Sequence, residues 1–163
     1  MKLIKVLWSS LVLVQLMLCV GCTKKSEPQV QVLTYKIGDV IIFDKQSLTV
    51  NTVQIAQIAE HSPQQEVVDP NTNTWLVHIT VSNKSKKAFA FLLNNLVIQD
   101  NTGKIYEGHP SGISSQLATT RYLPMGDVIK GTVVYNIKKD AQGLKLIYQP
   151  SSYPGCTYIV PIS

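Results

Sequence analysis

Three cysteines, three histidines, one run of oxygen-bearing side chains and one knot of lysines are the parts of this 163-residue chain whose types and spacing could do chemistry. Cys19 and Cys22 stand three apart in LMLCVGCTKK, the spacing of a C-x-x-C redox or metal pair, while Cys156 is remote from both. A working pair needs a folded, electropositive surrounding that lowers a thiol pKa, or further ligands that complete a tetrahedral site. The greasy run around Cys19 and Cys22 offers neither. None of His61, His78 and His109 lies within four residues of another histidine or a cysteine, so metal spacing of the helical or knuckle kind is absent. His78 falls on the polar parity of a strand and reads as solvated or at a sheet edge; His61 and His109 fall in loops. Asp69, Asn71 and Asn73 alternate as the start of a calcium loop would, but the sixth place is not glycine and Thr80 stands where a bidentate glutamate belongs. An Asx-rich turn leading into the strand at Trp75 is the plainer reading. GHPSGISS, residues 108–115, sets Ser111 near His109, yet no G-x-S-x-G elbow, phosphate-cradling glycine loop or dinucleotide fingerprint occurs. Lys84, Lys86 and Lys87 form a compact basic cluster that could attract lipid head groups or anionic polymers by about 1 kcal/mol per lysine, or simply solvate a turn and discourage edge pairing. No catalytic, cofactor-binding or metal-ligating residue is assigned from the sequence.

The two N-terminal cysteines make better sense as part of a leader. MKLIK gives a positively charged start, and the apolar block Val6 to Val20 would be only about 22 Å long as a helix. A membrane span needs roughly 20 predominantly apolar residues. Gly21 supplies the small residue required just before a cut at Cys22. Cys19-Val20-Gly21-Cys22 resembles the lipobox of bacterial lipoproteins, with Cys19 standing where that family usually has leucine. The resemblance implies that residues 1–21 are a signal-peptide helix and that Cys22 carries a diacylglyceryl lipid and becomes the N-terminus, held at the extracytoplasmic side of a cell membrane or outer membrane. Two acyl chains give durable anchoring where one is marginal.

The elements that must position any site come next. Residues 22–35 are polar at first and carry one proline, which reads as a tether; residues 36–163 are left as one domain, large enough for its own core. Two of the fifteen basic residues precede the apolar block, so the product from Cys22 has thirteen basic and ten acidic side chains. That excess is too small to argue for nucleic acid. The periodicity is two: Trp75, Val77, Ile79 and Val81 share one face against His78, Thr80 and Ser82, and Ile129, Val133, Tyr135 and Ile137 share another. In SLTVNTVQIAQI the apolar parity changes from Leu48 and Val50 to Val53 and Ile55, which predicts a bulge near Asn51-Thr52. Further strands are expected at 40–43, 96–99, 143–149 and 157–162, with turns at 100–103 and 124–127. Seven or eight short strands with such turns argue for an all-β antiparallel sandwich.

The order of YKIGDVIIF (35–43), WLVHITVSNKSK (75–86), LVIQDNTGKIY (96–106) and LPMGDVIKGTVVYNI (123–137) resembles a group of bacterial extracytoplasmic domains with a telokin-like, immunoglobulin-like sandwich. That resemblance implies a fold presented outside the membrane and brings no catalytic residues with it. Cys156 shares parity with Tyr158, Val160 and Ile162 and is expected as a small buried core residue.

The expectation for function is therefore a membrane-anchored module that binds at the cell envelope, without enzymatic activity. Its contact loops would be 60–73, with His61, Asp69, Asn71 and Asn73, and 107–120, with His109 and Ser111. The partner would be an envelope protein, an anionic wall polymer or a small solute, and no cofactor is expected. The alternatives are an envelope enzyme with a site built from those loops and a structural accessory subunit of an envelope complex. A binder should show an exposed apolar patch, and an enzyme a concave pocket with convergent titratable groups.

Overall fold

The computed structural model describes residues 30–56, 69–110, 117 and 119–162. The leader, Cys19, Cys22, His61 and Ser111 lie outside the described residues. Twelve strand segments occur among those described: β1 (Gln31–Thr34), β2 (Val40–Phe43), β3 (Gln46–Ile55), β4 (Thr72–Asn83), β5 (Phe89–Leu92), β6 (Leu96–Gln99), β7 (Ile105–Glu107), β8 (His109–Pro110), β9 (Thr120–Leu123), β10 (Val128–Lys138), β11 (Lys145–Tyr148) and β12 (Cys156–Pro161). The excess over the seven or eight expected comes from two- to four-residue pieces such as β5, β7, β8 and β9, too short to show a period of their own.

They form a five-stranded sheet in the order β1-β12-β11-β6-β7, a second in the order β2-β3-β4-β10-β8, and a two-stranded ribbon of β5 and β9. The two large sheets face one another across the core. Phe43 on β2 meets Tyr148 on β11 at 5.3 Å between ring centroids and Tyr158 on β12 at 6.1 Å. The Tyr135 hydroxyl on β10 crosses to donate to the Leu96 carbonyl at 3.0 Å. The expected alternation is present: Val77, Ile79 and Val81 on β4 and Ile129, Val133, Tyr135 and Ile137 on β10 are buried. Gly108, between β7 and β8, packs where a Cβ would press into Val133 and the Tyr135 ring, so only glycine lets that joint lie on the core.

The bulge lies where the parity change put it. β3 pairs Val50 with Ile79 and then Thr52 with His78, leaving Asn51 as the extra residue. Val53 is thereby turned back toward the core, against which it packs half-buried. Asn51 is not idle, since its Nδ2 donates to Thr80 Oγ1 at 3.0 Å on the outer face.

Two expectations need correction. Gln31–Thr34, assigned to the tether, is a strand paired in parallel with β12, through Gln31–Cys156 to Thr34–Ile159. The Gln31 amide donates to Gly155 at 2.8 Å, Leu33 packs on the core, and Tyr35 meets Tyr158 at 6.1 Å. The ordered fold thus begins before residue 36, and the sandwich is not wholly antiparallel. A strand from the opposite end of the chain needs no tight turn to pair, which is why no turn signal marks it. Cys156, expected in the core, is a free thiol that is only half-buried, because it opens β12 at the rim rather than lying within it.

The Asp100 turn shows how polar groups are settled inside. Asp100 is buried, and its Oδ1 accepts from the Thr102 hydroxyl at 2.6 Å and from the Thr102 and Lys104 amides at 2.9 and 3.0 Å, while Oδ2 accepts from Tyr106 at 3.0 Å. These bonds, led by that from the Thr102 side chain, hold its carboxyl below the usual carboxylate range. A lowered folded-state pKa contributes stability that is full above the unfolded value of 3.8 and is lost as pH falls through the folded value. The thermal midpoint is therefore expected to hold steady down to about pH 5 and to drop below about pH 4, with a shallower acid limb in Asp100→Asn. Circular-dichroism melts at stepped pH read this directly, and equal acid limbs in the two proteins would remove Asp100 as the cause.

Candidate functional site

The cavity with the most to offer lies at one end of the sandwich, where three connections converge. It is an open groove of about 610 Å³ between the β2–β3 turn (Asp44, Lys45, Gln46), the β4–β5 connection with the start of β5, and Ser151 and Ser152 after β11. That volume is in the range of small-molecule sites.

Each wall is held by an identifiable device. Phe43 and Gln46 pair across a two-residue turn, in which Asp44 takes a left-handed φ of 56°. Aspartate tolerates that region better than most residues. The opposite wall hangs from Asn83, which is fully buried. Its Nδ2 donates to the carbonyls of Lys87 at 2.8 Å and Leu123 at 2.9 Å, with that of Pro124 at 3.1 Å. Its Oδ1 accepts from the Ser85 amide at 3.0 Å, and the Ser85 hydroxyl lies 2.7 Å from both Asn83 Oδ1 and the Lys87 carbonyl. The Lys84 amide closes the frame by donating to the Lys45 carbonyl at 2.7 Å. Lys84, Lys86 and Lys87 are therefore exposed side chains on a backbone fixed from beneath. The sequence identified this lysine cluster but not the buried Asn83 and Ser85 that hold its backbone.

The floor is mixed. Phe89 is nearly buried and meets Phe43 at 5.9 Å, while Ala88, Ala90 and Leu92 extend the apolar lining. Gln46 is only 9% exposed, and its Oε1 is buried without a hydrogen-bond partner. Lys45, Lys86 and Lys87 supply three ammonium groups against the single carboxylate of Asp44. Gln46 was not singled out from sequence, although the signal existed: it shares the even, inward parity of Leu48 and Val50, a polar residue on a buried row.

The described residues among those expected in contact loops, Asp69, Asn71, Asn73 and His109, do not line this groove. Asp69 forms the Asx turn, its Oδ1 accepting from the Asn71 amide at 2.9 Å and its carbonyl from the Thr72 hydroxyl at 2.8 Å. Asp69 and Asn71 border a separate hollow with Lys138, Lys139 and Asp140, and Asn73 lies in β4. His109 is exposed in β8, paired to Val134, rather than in a loop. His78 is half-buried on the central strand β4, not at an edge, with Nδ1 2.8 Å from Thr132 Oγ1 and Nε2 3.3 Å from Gln54 Nε2. Among the described residues, no group of three or more His, Cys, Asp or Glu side chains could hold a metal ion.

Burial, with the nearby Cys156 and Tyr groups, pushes the Tyr158 phenol up to about 12, and burial likewise raises Tyr148 and Tyr135, so these core hydroxyls stay neutral. Apolar side chains are exposed at Val40 and Ile42 on the edge strand β2 and at Tyr122, Met125 and Val128 around the β9–β10 turn. No helix of the described residues is long and apolar enough to cross a membrane.

Comparison with known proteins bears on the fold. The family described as Domain of unknown function (DUF4352) matches residues 35–156. No curated protein sequence matches the chain. Among solved structures, the yjhA protein of Bacillus subtilis is similar with a TM-score of 0.59 and 16% identity, over 79% of this chain and 99% of that one. An uncharacterized β-sandwich protein of Clostridium difficile 630 is similar with a TM-score of 0.53 and 14% identity, over 86% and 99%. A "putative lipoprotein (ycdA)" of Bacillus subtilis is similar with a TM-score of 0.56 and 14% identity, over 75% of this chain and 38% of that one. At such identities the likeness shows the β-sandwich fold alone, and none of the three descriptions names a reaction.

Proposed function

The chain belongs to the family described as Domain of unknown function (DUF4352), and from that premise we propose that it is a lipid-anchored, extracytoplasmic binding module of the cell envelope. In this reading Cys22 carries the diacylglyceryl lipid after removal of residues 1–21, and an immunoglobulin-like, telokin-like sandwich stands off the membrane. The contact site is the groove between the Asp44-Lys45 turn and the Lys86-Lys87 loop. One observation carries the reading: although concave, as an enzyme site would be, the groove of about 610 Å³ is lined among the described residues by exposed lysines and one aspartate, without histidine or cysteine, on a backbone pinned by a fully buried asparagine. Asn83 and Ser85 fix the backbone from which the exposed lysine side chains project. The lysines belong to the partner side of that arrangement, with an anionic group of an envelope protein or wall polymer the natural complement. The lipoprotein description of the ycdA neighbour supports the anchoring part of the reading.

Two variants and one crosslinking position test it in intact cells. Cys22→Ala is expected to leave the membrane fraction, and retention there would overturn the anchor. A photoreactive residue introduced at position 152, in the groove wall, is expected to crosslink one defined envelope component. That crosslink should be lost in Lys86→Ala/Lys87→Ala while the protein remains membrane-bound. An unchanged crosslink in the double variant would remove the groove from consideration.

A further inference from the structure

The groove has a chemical grain from one lip to the other. At the β2–β3 side stand two acceptors, the Asp44 carboxylate and Gln46, whose Oε1 is buried without a donor. Lys45 shares that lip, Lys86 and Lys87 stand at the β4–β5 side, and the apolar surface of Phe89, Ala88 and Leu92 lies beneath. Buried acceptors are seldom left unpaired in native folds, and those that are call for a reason. Gln46 sits on the inward row of β3 where a leucine or valine would pack without an orphan atom, as Leu48 and Val50 do on the same row.

We infer that this groove is a subsite for a polyol phosphate, with the ligand's hydroxyl end at Asp44 and Gln46 and its phosphate at Lys86 and Lys87. The inference rests on the groove being the binding site and adds the class of ligand. A hydroxyl is both donor and acceptor, so it answers either edge of the Gln46 amide as the side chain turns toward the cavity. The carbon skeleton covers the apolar floor. Ammonium groups act as point charges, and a phosphate monoester, with nearly two negative charges spread over three acceptor oxygens, draws more from three of them than a singly charged carboxylate does. Asp44 offsets Lys45 on its own lip while no carboxylate offsets Lys86 and Lys87 on the other, which sets the direction in which such a ligand lies.

Titration calorimetry of the full-length protein in detergent, with glycerol 3-phosphate, inorganic phosphate and glycerol as separate probes, decides the matter. Glycerol 3-phosphate is expected to bind about fivefold to tenfold more tightly than inorganic phosphate, the increment of roughly one hydrogen bond, and glycerol without measurable heat. Gln46→Met should bring glycerol 3-phosphate down to the level of inorganic phosphate while its thermal midpoint holds or rises, because methionine leaves no acceptor unpaired. Lys86→Ala/Lys87→Ala should weaken both phosphates together. Equal binding of the two phosphates by the wild type, absence of binding, or a preference that survives Gln46→Met would each overturn the inference. Should Gln46→Met fail to fold, the wild-type Gln46 side-chain amide resonance gives the same answer, since it must shift with glycerol 3-phosphate and not with phosphate. Glycerophosphoglycerol, the deacylated lipid headgroup, set against a longer glycerol phosphate oligomer separates the sources. Equal affinity points to the headgroup, and tighter binding of the oligomer to a polymer. A lysine-dependent crosslink at position 152 without any phosphate binding would leave the groove as a binding site and sink only the ligand class.

Discussion

Replacing Asn83 with alanine is expected to destabilise the fold by about 3 kcal/mol, because one fully buried amide serves both the end of β4 and the loop that carries the lysines. The substitution strips the Leu123 carbonyl and the Ser85 amide of the Asn83 side chain at once, while the Lys87 carbonyl keeps only the Ser85 hydroxyl. Each buried group left unpaired costs about 1–3 kcal/mol, and entry of water recovers part of the sum. The backbone bonds of Asn83 to Asp127 and Gly126 persist, so the β4–β10 ladder should survive while the 84–87 loop loosens. Urea unfolding should show a lower midpoint with an unchanged slope. Asn83→Asp is the sharper variant, since it sets a carboxylate among three carbonyl oxygens. Its folded-state pKa would be raised above the unfolded value, so the repulsion is full at neutral pH and relieved as pH falls through the folded value. Asn83→Asp should therefore regain stability on mild acidification where Asn83→Ala does not. A loss below about 0.5 kcal/mol in Asn83→Ala would show that the loop does not depend on this clamp.

The division between what the sequence discloses and what it hides follows from the range of each interaction. β2 and β6 have the bounds that their apolar runs indicate, and the Asn51 bulge follows from a change of parity, because alternation is a property of neighbouring residues. The turn at Asp100 is legible for the same reason, every one of its partners lying within six residues. β1 is hidden because its partner is β12, more than a hundred residues away, and because its four residues are mostly exposed at an edge. Pairing across such a separation leaves no local mark.

The groove was half legible. Lys86 and Lys87 announce themselves by proximity to Lys84, but Asp44, Gln46 and Ser152 reach the cavity that those two line from other connections. Nothing in the sequence indicates that Asn83 faces inward, as its parity with Val81 could equally end at the strand terminus. The long loops attracted attention by length and polarity, yet Asp69 and His109 lie apart from the groove, one spent on an Asx turn and the other on a strand edge. Length is a fair pointer to adaptable contacts, whereas a preformed site is built where short connections are pinned by buried groups.

Phe43→Ala is expected to cost about 3–5 kcal/mol, a large share of the 5–15 kcal/mol that holds a domain folded. Phe43 is 2% exposed and sits at the centre of an aromatic cluster, 5.3 Å from Tyr148, 5.9 Å from Phe89 and 6.1 Å from Tyr158. Removing its ring leaves a void between the two sheets that rigid neighbours fill poorly, so transfer and cavity costs add. The consequence extends to the site, since Phe43 anchors the turn that carries Asp44 and Lys45, and Phe89 is the groove's floor. Phe43→Leu keeps much of the volume and should recover most of the stability, to within about 1.5 kcal/mol of wild type. Groove affinity should follow the same order, with wild type first, Phe43→Leu next and Phe43→Ala last, because the floor and the turn rest on one ring. Chemical unfolding gives the stabilities, and glycerol 3-phosphate titration below the unfolding transition gives the affinities. A Phe43→Ala protein within about 1 kcal/mol of wild type would mean that Phe89 and Tyr148 close over the void, and the coupling between core and groove would then be lost with it.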